Sequence, residues 1–220
     1  MPLTAIFENR NVYAREVTDR KALYRCKHCE ARMILKRGEI KIPHFAHEPS
    51  STCPYYKPES EIHLRMKEWV REQLPGAELE VRVGCKIFDV KYNDRVFECQ
   101  ASQISVAECN AREECALDNK LLLTWLLAVP FYGKTIRRDG KEYAKLKAVE
   151  LQIIENCGEE PLLYLEWHPA RERMVSFSRI TGAPRISEAN EWRDWDEECK
   201  TIFEIDSEES NINLAELVLS

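Results

Sequence analysis

The stretch FDVKYNDRVFECQAS, residues 88–102, decides the fold of the central part of the chain. Runs of β-branched and aromatic residues flank Asn93-Asp94, a pair that is typical of a two-residue hairpin turn. A hairpin closed by this turn places Asp89 directly opposite Glu98, with their Cβ atoms about 5 Å apart. The sequence therefore predicts two facing carboxylates near the middle of the chain.

The face that carries these carboxylates is a candidate divalent-metal site. Like charges directly across a strand pair are destabilising, so a cation such as Mg²⁺, which prefers oxygen ligands, is expected between them. Because side chains alternate along a strand, Lys91 and Gln100 are predicted on the same face. The reverse face is predicted to be apolar core, formed by Phe88, Val90, Phe97 and Cys99. The alternative is an exposed hairpin whose carboxylates face water.

A second group of candidate ligands lies upstream, in CKHC at 26–29, PHFAH at 43–47 and Cys53. Two cysteines spaced by two residues can present both sulfurs to one Zn²⁺, and a tetrahedral site needs two more Cys or His ligands. We predict a zinc site, and the residues chosen as its ligands are Cys26, Cys29, His47 and Cys53, with His44 held in reserve. The alternative is that the cysteines are buried thiols.

A closed four-ligand zinc site is structural, because it leaves no position for water or substrate. The segment RMILKRGEIKIP is predicted to form a short hairpin around residues 36–38, as in a zinc ribbon. Residues 1–57 are therefore predicted to form a zinc-ribbon-like module. Residues 58–220 are predicted to form a second domain, a core with a C-terminal elaboration.

The segment PESEIHLRMKEWVREQLPG predicts a helix that Ser60 caps and that Pro75-Gly76 ends. Its apolar positions recur at helical spacing and are Ile62, Met66, Trp69, Val70 and Leu74. The other face carries Glu59, His63 and Lys67 at four-residue spacing, with Glu61 near the same edge. Either Glu59 or Glu61 can approach the hairpin carboxylates, and the alternative is a solvated charged face.

Further elements complete a mixed α/β core after the hairpin. Ser105 to Glu108 matches a capping box for a helix that runs to about Leu117 and carries Arg112. Residues 121–129 are predicted to form a buried strand that Pro130 ends. Beyond them, the runs that read as short strands are AVELQII, LLYLEWH and MVSFSRI. No Gly-rich phosphate loop or nucleophile elbow is recognisable.

Composition restricts the class of protein. The chain of 220 residues, 44% hydrophobic, contains no apolar run of membrane-spanning length and no signal-peptide pattern, so a soluble cytoplasmic protein without a membrane partner is expected. Its nine cysteines are expected to be thiols and metal ligands rather than disulfides.

Charge is distributed unevenly along the chain. Residues 1–75 contain 14 Lys and Arg against 10 Asp and Glu, a net charge of +4, whereas residues 76–220 contain 18 against 28, a net charge of −10. The N-terminal third is therefore the part expected to meet phosphates. The last 30 residues carry ten acidic and two basic side chains and are predicted to be a solvated tail.

Several motifs occur here in the order seen in one known family. These motifs are CKHC, PHFAH with Cys53, ESEIHLRMK, the Asp-Val of the first hairpin strand, Glu-x-Gln-x-Ser at 98–102, Arg112 and the strand with Trp125. Over roughly residues 20–128 the chain resembles the competence protein CoiA-like family. The resemblance implies a zinc-finger-like N-terminus, a restriction-endonuclease-like core of the PD-(D/E)xK superfamily with a mixed sheet flanked by helices, and DNA as the substrate.

The resemblance also implies roles for individual residues. Asp89 and Glu98 match the positions that bind the catalytic Mg²⁺ or Mn²⁺, and Gln100 matches the third position of the motif. Glu61 or Glu59 corresponds to an auxiliary acid on the helix, and Glu61 is our choice. The matching polar positions, predicted to contact substrate, are His63, Lys67, Ser102 and Arg112. Lys91 is also predicted to contact substrate.

One departure from the family pattern weakens this assignment. An Arg-Pro pair often precedes the aspartate, whereas Ile87-Phe88 stands here, so Lys86 or Lys91 has to supply the missing cation. The leading hypothesis is a metal-dependent DNA nuclease that works with protein partners in DNA processing or defence. The competing hypotheses are an inactive zinc-ribbon protein that binds nucleic acid or acts as an adaptor, and a structural component of a larger complex.

Overall fold

The computed structural model describes residues 2–49, 52–54 and 58–129, and then separate segments at 134–138, 141–145, 148–157, 162–168, 173–180, 202–204, 206–208 and 214. Its mixed α/β architecture confirms the predicted fold class at that level. None of the helices in these segments is long and apolar enough to cross a membrane.

The first sheet belongs to the N-terminal module. Its strands are β1 (Thr4–Phe7), β2 (Arg10–Tyr13), β3 (Tyr24–Arg25), β4 (Arg32–Lys36) and β5 (His44–His47), in the spatial order β2-β1-β3-β4-β5. The predicted β4-β5 hairpin is present but its loop is longer than expected. Lys36 pairs with His44, so residues 37–43 form the connection and the short turn placed at 36–38 was wrong.

The chain after the N-terminal module forms a central sheet and the helices that pack on it. The first elements of this part of the chain are α1 (Glu61–Gln73), β6 (Glu78–Val83), β7 (Lys86–Tyr92), β8 (Arg95–Gln100), α2 (Val106–Asp118) and β9 (Leu122–Val129). The elements that follow are β10 (Lys134–Arg138), β11 (Lys141–Lys145), α3 (Ala148–Cys157), β12 (Leu162–His168), β13 (Arg173–Ile180), β14 (Ile202–Glu204) and β15 (Asp206–Glu208).

Seven strands join in the order β15-β13-β12-β9-β8-β7-β6, and β10, β11 and β14 form a small separate sheet. The chain meanders antiparallel through β6, β7 and β8, whereas β9 runs parallel to both β8 and β12. Residues beyond 130 thus extend the central sheet.

The caps and the hairpin register follow the sequence. The Ser60 hydroxyl accepts a hydrogen bond from the His63 N–H at 3.2 Å, and Ser105 does the same for Glu108. Tyr92 pairs with Arg95 across the predicted turn, where Asn93 has a φ of 55°, a value that asparagine tolerates. Asp89 and Glu98 come one step after the Val90–Phe97 pair in this register.

The two faces of the hairpin differ from the prediction, because both are buried. Val90, Phe97 and Cys99 pack against α1, as expected for one apolar face. Phe88 instead joins Val96 in a second cluster beneath α2 and α3. Phe88 and Val90, two residues apart in β7, therefore lie in different clusters. The predicted single apolar face is thus divided between two clusters, and the alternative of an exposed hairpin was wrong.

The run AVELQII was wrongly read as a strand and lies within α3. Val149 and Ile153, four residues apart, are both buried in the cluster beneath α2, which is the helical spacing. Alternating apolar residues over so short a run do not separate strand from helix, and packing decides. LLYLEWH and MVSFSRI lie in strands as expected. Pro130 and most of the acidic C-terminal stretch lie outside the described residues.

The N-terminal module packs directly on the α1 face of the central sheet. Leu3, Tyr13 and Ile42 are buried in the same cluster as the apolar side of α1. Polar contacts reinforce this interface, since the Tyr13 hydroxyl donates to Glu68 at 2.6 Å. The module and the sheet consequently share one hydrophobic core along α1.

Candidate metal centre and catalytic cleft

One cleft brings the two predicted sites together. It has a volume of about 700 Å³ and lies between the N-terminal module, the start of α1 and the start of α2. Residues of the cysteine and histidine group line one side of it, and residues of the hairpin and the two helices line the other. The predicted site residues that line the cleft are Cys26, His47, Cys53, His63, Asp89, Glu98, Gln100, Ser102 and Arg112.

Asp89 is held in its charged form. Its carboxylate accepts hydrogen bonds from the His63 ring and from the Cys99 N–H, both at 2.9 Å. Burial alone would raise the pKa of Asp89, but the charge and hydrogen bond of His63, the charge of Lys67 and the Cys99 N–H together lower it well below its ordinary value. At this point of the β7-β8 pair, the Cys99 N–H therefore donates to the Asp89 side chain instead of to the backbone of β7.

Lys67 is fully buried beneath the cleft, with 1% of its side chain exposed. It donates to Glu59 at 2.8 Å and to Glu80 at 3.0 Å, and lies 3.9 Å from Asp89. Burial lowers the pKa of Lys67, but the three carboxylates raise it well above the ordinary value. The structure therefore makes Lys67 a counterion for carboxylates, and its burial rules out the predicted direct contact with substrate.

Replacing Lys67 with methionine should destabilise the protein by about 3–5 kcal/mol, because it leaves buried carboxylates without their counterion. The free energy of unfolding from urea titration is the measurement. Lys91→Met is the matched control, since the Lys91 amino group only donates to the Asn93 carbonyl at the hairpin turn. Equal stability of the two variants would contradict the assignment of Lys67 as the central cation.

Glu98 lies on the α2 side of the cleft and is paired with Arg112. Arg112 also donates to Glu108 and to the Ile87 carbonyl, each at 3.1 Å. Burial and the nearby charge of Asp89 raise the pKa of Glu98 well above its ordinary value, and Arg112 opposes that rise. The predicted carboxylate pair thus consists of one acid held ionised and one that depends on Arg112.

Two other predicted residues occupy different positions. The Gln100 amide donates to the Ser102 carbonyl at 2.6 Å, so these neighbours are linked at the edge of the cleft. Lys91 is turned toward the hairpin tip and does not line the cleft. Lys86 does line it, and donates to Glu108 at 2.8 Å. Lys86 is therefore the better placed of the two cations considered for the missing arginine.

Glu59, which lies just before the Ser60 cap of α1, lines the cleft, whereas the chosen Glu61 does not. Glu61 accepts from Arg65 at 2.8 Å and from the Ile42 N–H, and so belongs to the interface with the N-terminal module. Glu59, His63 and Asp89 each place one ligand atom within 4.8 Å of the others. Two carboxylates and one imidazole suit a divalent ion, Mn²⁺ as well as Mg²⁺.

The predicted zinc ligands also come together. One donor atom from each of Cys26, Cys29, His47 and Cys53 lies within 4.8 Å of the others, and the Cys29 sulfur is 3.4 Å from the His47 ring. Tetrahedral zinc sites require donor separations of about 3.8 Å, so this group could bind a metal such as zinc. His44 is excluded from this role, because its ring is 2.8 Å from the Ile42 carbonyl and buried elsewhere.

A metal that binds to this group would have to displace protons from its thiols. Burial, with the adjacent Cys29 thiol, raises the pKa of Cys26 to about 11. A thiol in such a place stays protonated unless a positive charge stabilises the thiolate, and a metal ion supplies that charge.

Sequence reasoning missed Glu80 as a member of the site. It is 6% exposed, and its carboxylate contacts Lys67 on one side and the N-terminal strand on the other. Its place within the run ELEVRV carries no signal, because alternation predicts only an outward-facing position.

Comparison with known proteins supports the N-terminal assignment. Residues 8–56 match the family model described as competence protein CoiA, N-terminal domain. No curated protein and no solved structure matches the chain. The matched segment includes Cys26, Cys29, His47 and Cys53, and confirms the resemblance stated from the motifs for this part of the chain. The N-terminal module, over residues 8–56, is therefore similar to the N-terminal domain of competence protein CoiA.

Proposed function

We propose that this protein is a metal-dependent DNA nuclease whose catalytic motif is Asp89, Glu98 and Gln100. The observation that carries the proposal is the shared cleft, in which these three residues meet Glu59 and His63. The αβββαβ order of α1 to β9 supports a restriction-endonuclease-like core, and the family match supports a role connected with competence. Zn²⁺ in the cysteine and histidine group would serve the fold.

The catalytic metal would be held by Asp89, together with Glu59 and His63 or with Glu98. When bound, it supplies a more acidic water and neutralises charge on the scissile phosphate. The protein keeps Asp89 ionised through His63 and the Cys99 N–H, which preserves a charged ligand in a buried place. Arg112 and Lys86 line the cleft as the cations nearest to an incoming phosphate.

Gln100 has a more limited role than the lysine found at this position in most of the superfamily. Its amide can donate to or accept from water, but it cannot carry positive charge. The hydrogen bond to Ser102 orients the amide along the cleft edge. Stabilisation of charge at the phosphate consequently depends on Arg112 and Lys86.

A specific observation favours a second candidate function, an inactive nucleic-acid-binding or adaptor protein. Glu98 is satisfied by Arg112 and Gln100 by Ser102, so neither side chain requires a metal for its hydrogen bonds. A core that had lost catalysis would keep such contacts while the zinc module bound its partner.

The test is cleavage of labelled single-stranded and duplex DNA with Mg²⁺, Mn²⁺ or EDTA. We expect cutting with Mg²⁺ or Mn²⁺ and none with EDTA, because the carboxylates need the cation to hold a phosphate beside them. Zinc content and circular dichroism are measured on the same samples. A folded, zinc-loaded protein that cuts neither DNA under any of these conditions would favour the adaptor function.

A further inference from the structure

A buried carboxylate connects the N-terminal module to the candidate catalytic cleft. Glu80, in the middle of β6, accepts hydrogen bonds from the Leu3 N–H at 2.6 Å, the Thr4 N–H at 3.2 Å and the Thr4 hydroxyl at 2.6 Å. These three donors belong to the start of β1 and are separated from Glu80 by more than 70 residues of sequence. The module is thus docked on the core through a charged group rather than through apolar contacts alone.

The same carboxylate contacts the cation beneath the cleft. Glu80 lies 3.0 Å from Lys67, which donates to Glu59 and is 3.9 Å from Asp89. A continuous series of polar contacts therefore runs from Thr4 through Glu80 and Lys67 to the two carboxylates of the cleft. Thr4 and Glu80 also line the cleft, whereas Lys67 lies buried beneath it.

The charges of this series explain what Glu80 can do. Lys67 is shared by three carboxylates, and all of them are at least partly buried. If Glu80 takes a share of the Lys67 charge, Glu59 and Asp89 retain net negative charge for a cation. Without the Glu80 charge, Lys67 would be drawn to Glu59 and Asp89, and would compete with a metal for the same oxygens.

We propose that Glu80 and Lys67 are positioning residues that couple docking of the N-terminal strand to divalent-metal binding by Glu59 and Asp89. The inference rests on the proposed nuclease function, since it takes these two carboxylates as metal ligands. By this inference the N-terminal module has two roles: it binds a metal in its own cysteine and histidine group, and it supports metal binding at Glu59 and Asp89. Docking of Thr4 on Glu80 thereby sets the charge balance at Glu59 and Asp89 through the shared contact with Lys67.

The experiment measures Mn²⁺ binding to the zinc-loaded full chain by electron paramagnetic resonance of free Mn²⁺. Glu80→Gln should raise the Mn²⁺ Kd by about 10-fold to 100-fold, as for other residues that support metal ligands from behind. Asp89→Ala defines the signal that belongs to this site. A merely structural role would lower the melting temperature and leave the Kd of the folded protein unchanged.

Glu72→Gln is the matched control. Glu72 makes the same kind of contact between α1 and the module, with Arg15 at 3.0 Å. Glu72 is exposed, however, and does not belong to the series of contacts around Lys67. We expect its Mn²⁺ Kd to equal that of the wild type. Thr4→Val, which removes only the hydroxyl donor, should raise the Kd about threefold to tenfold, the cost of one hydrogen bond, and decides the matter if Glu80→Gln does not fold.

The outcomes separate this inference from the function on which it rests. Mn²⁺ binding that is equal in the wild type, Thr4→Val and any folded Glu80→Gln would overturn the coupling and leave the nuclease proposal intact. A wild type that binds no Mn²⁺ at the Asp89 site would overturn both. Weaker binding in Thr4→Val and Glu80→Gln with normal zinc content, beside an unchanged Glu72→Gln, is the result expected.

Discussion

Replacing Asp89 with asparagine should reduce metal-dependent DNA cleavage by at least about a thousandfold, a loss of about 4 kcal/mol in transition-state stabilisation. Asparagine has nearly the size of aspartate but no charge, and its single carbonyl oxygen can still accept from His63 and the Cys99 N–H, which both reach one Asp89 oxygen, so the substitution removes chiefly the charge. The site would lose one of the two carboxylates, Asp89 and Glu59, that we propose as metal ligands. The measurement is the initial rate of cleavage of labelled DNA at saturating Mg²⁺ or Mn²⁺.

Asp94→Asn provides the matched control for this variant. Asp94 lies in the turn of the same hairpin and is exposed, so its substitution changes the same chemical group away from the cleft. We expect its rate to equal that of the wild type. Glu98→Ala should lose cleavage as Asp89→Asn does, whereas Gln100→Ala should lose less, because it removes no charge. Full activity of Asp89→Asn would exclude the hairpin as the catalytic motif.

Removing the metal from the cysteine and histidine group should unfold the N-terminal module. Binding of a structural Zn²⁺ contributes about 10–16 kcal/mol in zinc-finger peptides, more than a small sheet can replace. Cys29→Ala, or treatment with a strong chelator, should therefore abolish zinc binding and lower the melting temperature of the protein, because the module shares its hydrophobic core with α1. Zinc content per chain and circular dichroism during heating are the measurements.

Two comparisons make this experiment specific. Cys85→Ala removes an exposed thiol outside the group and should leave zinc content unchanged. His47→Gln should lose zinc, whereas His44→Gln should retain it, because the His44 ring faces the Ile42 carbonyl. A Cys29→Ala protein that keeps one zinc per chain and a normal thermal transition would contradict the assignment. Loss of zinc from His44→Gln but not from His47→Gln would make His44, and not His47, the zinc ligand.

Local features were predictable because they depend on neighbours in sequence. The Asn93-Asp94 turn determines which residues of β7 and β8 face each other, so the positions of Asp89 and Glu98 followed from counting. The serine caps of α1 and α2 followed from a hydroxyl three residues before a free N–H. The spacing of Cys26 and Cys29 likewise indicated a metal-binding turn.

Features that depend on packing were not predictable in the same way. AVELQII contains apolar residues at both alternating and helical spacings, and its burial beneath α2 made it a helix. The choice between Glu59 and Glu61 depended on which side of the start of α1 the N-terminal module covers. Because the Ile42 N–H lies on the Glu61 side, Glu59 was left at the cleft.

The sequence by itself determined the hairpin with its two acids, the capped helices and the four candidate zinc ligands, since turns, caps and short ligand spacings act over a few residues. Only the tertiary structure decided that Lys67 and Glu80 are buried, that Glu98 pairs with Arg112, and that both candidate sites line one cleft. The physical reason is that burial and ion pairing depend on the three-dimensional arrangement of residues that are far apart in sequence. They join residues such as Thr4 and Glu80, for which no local pattern records the contact.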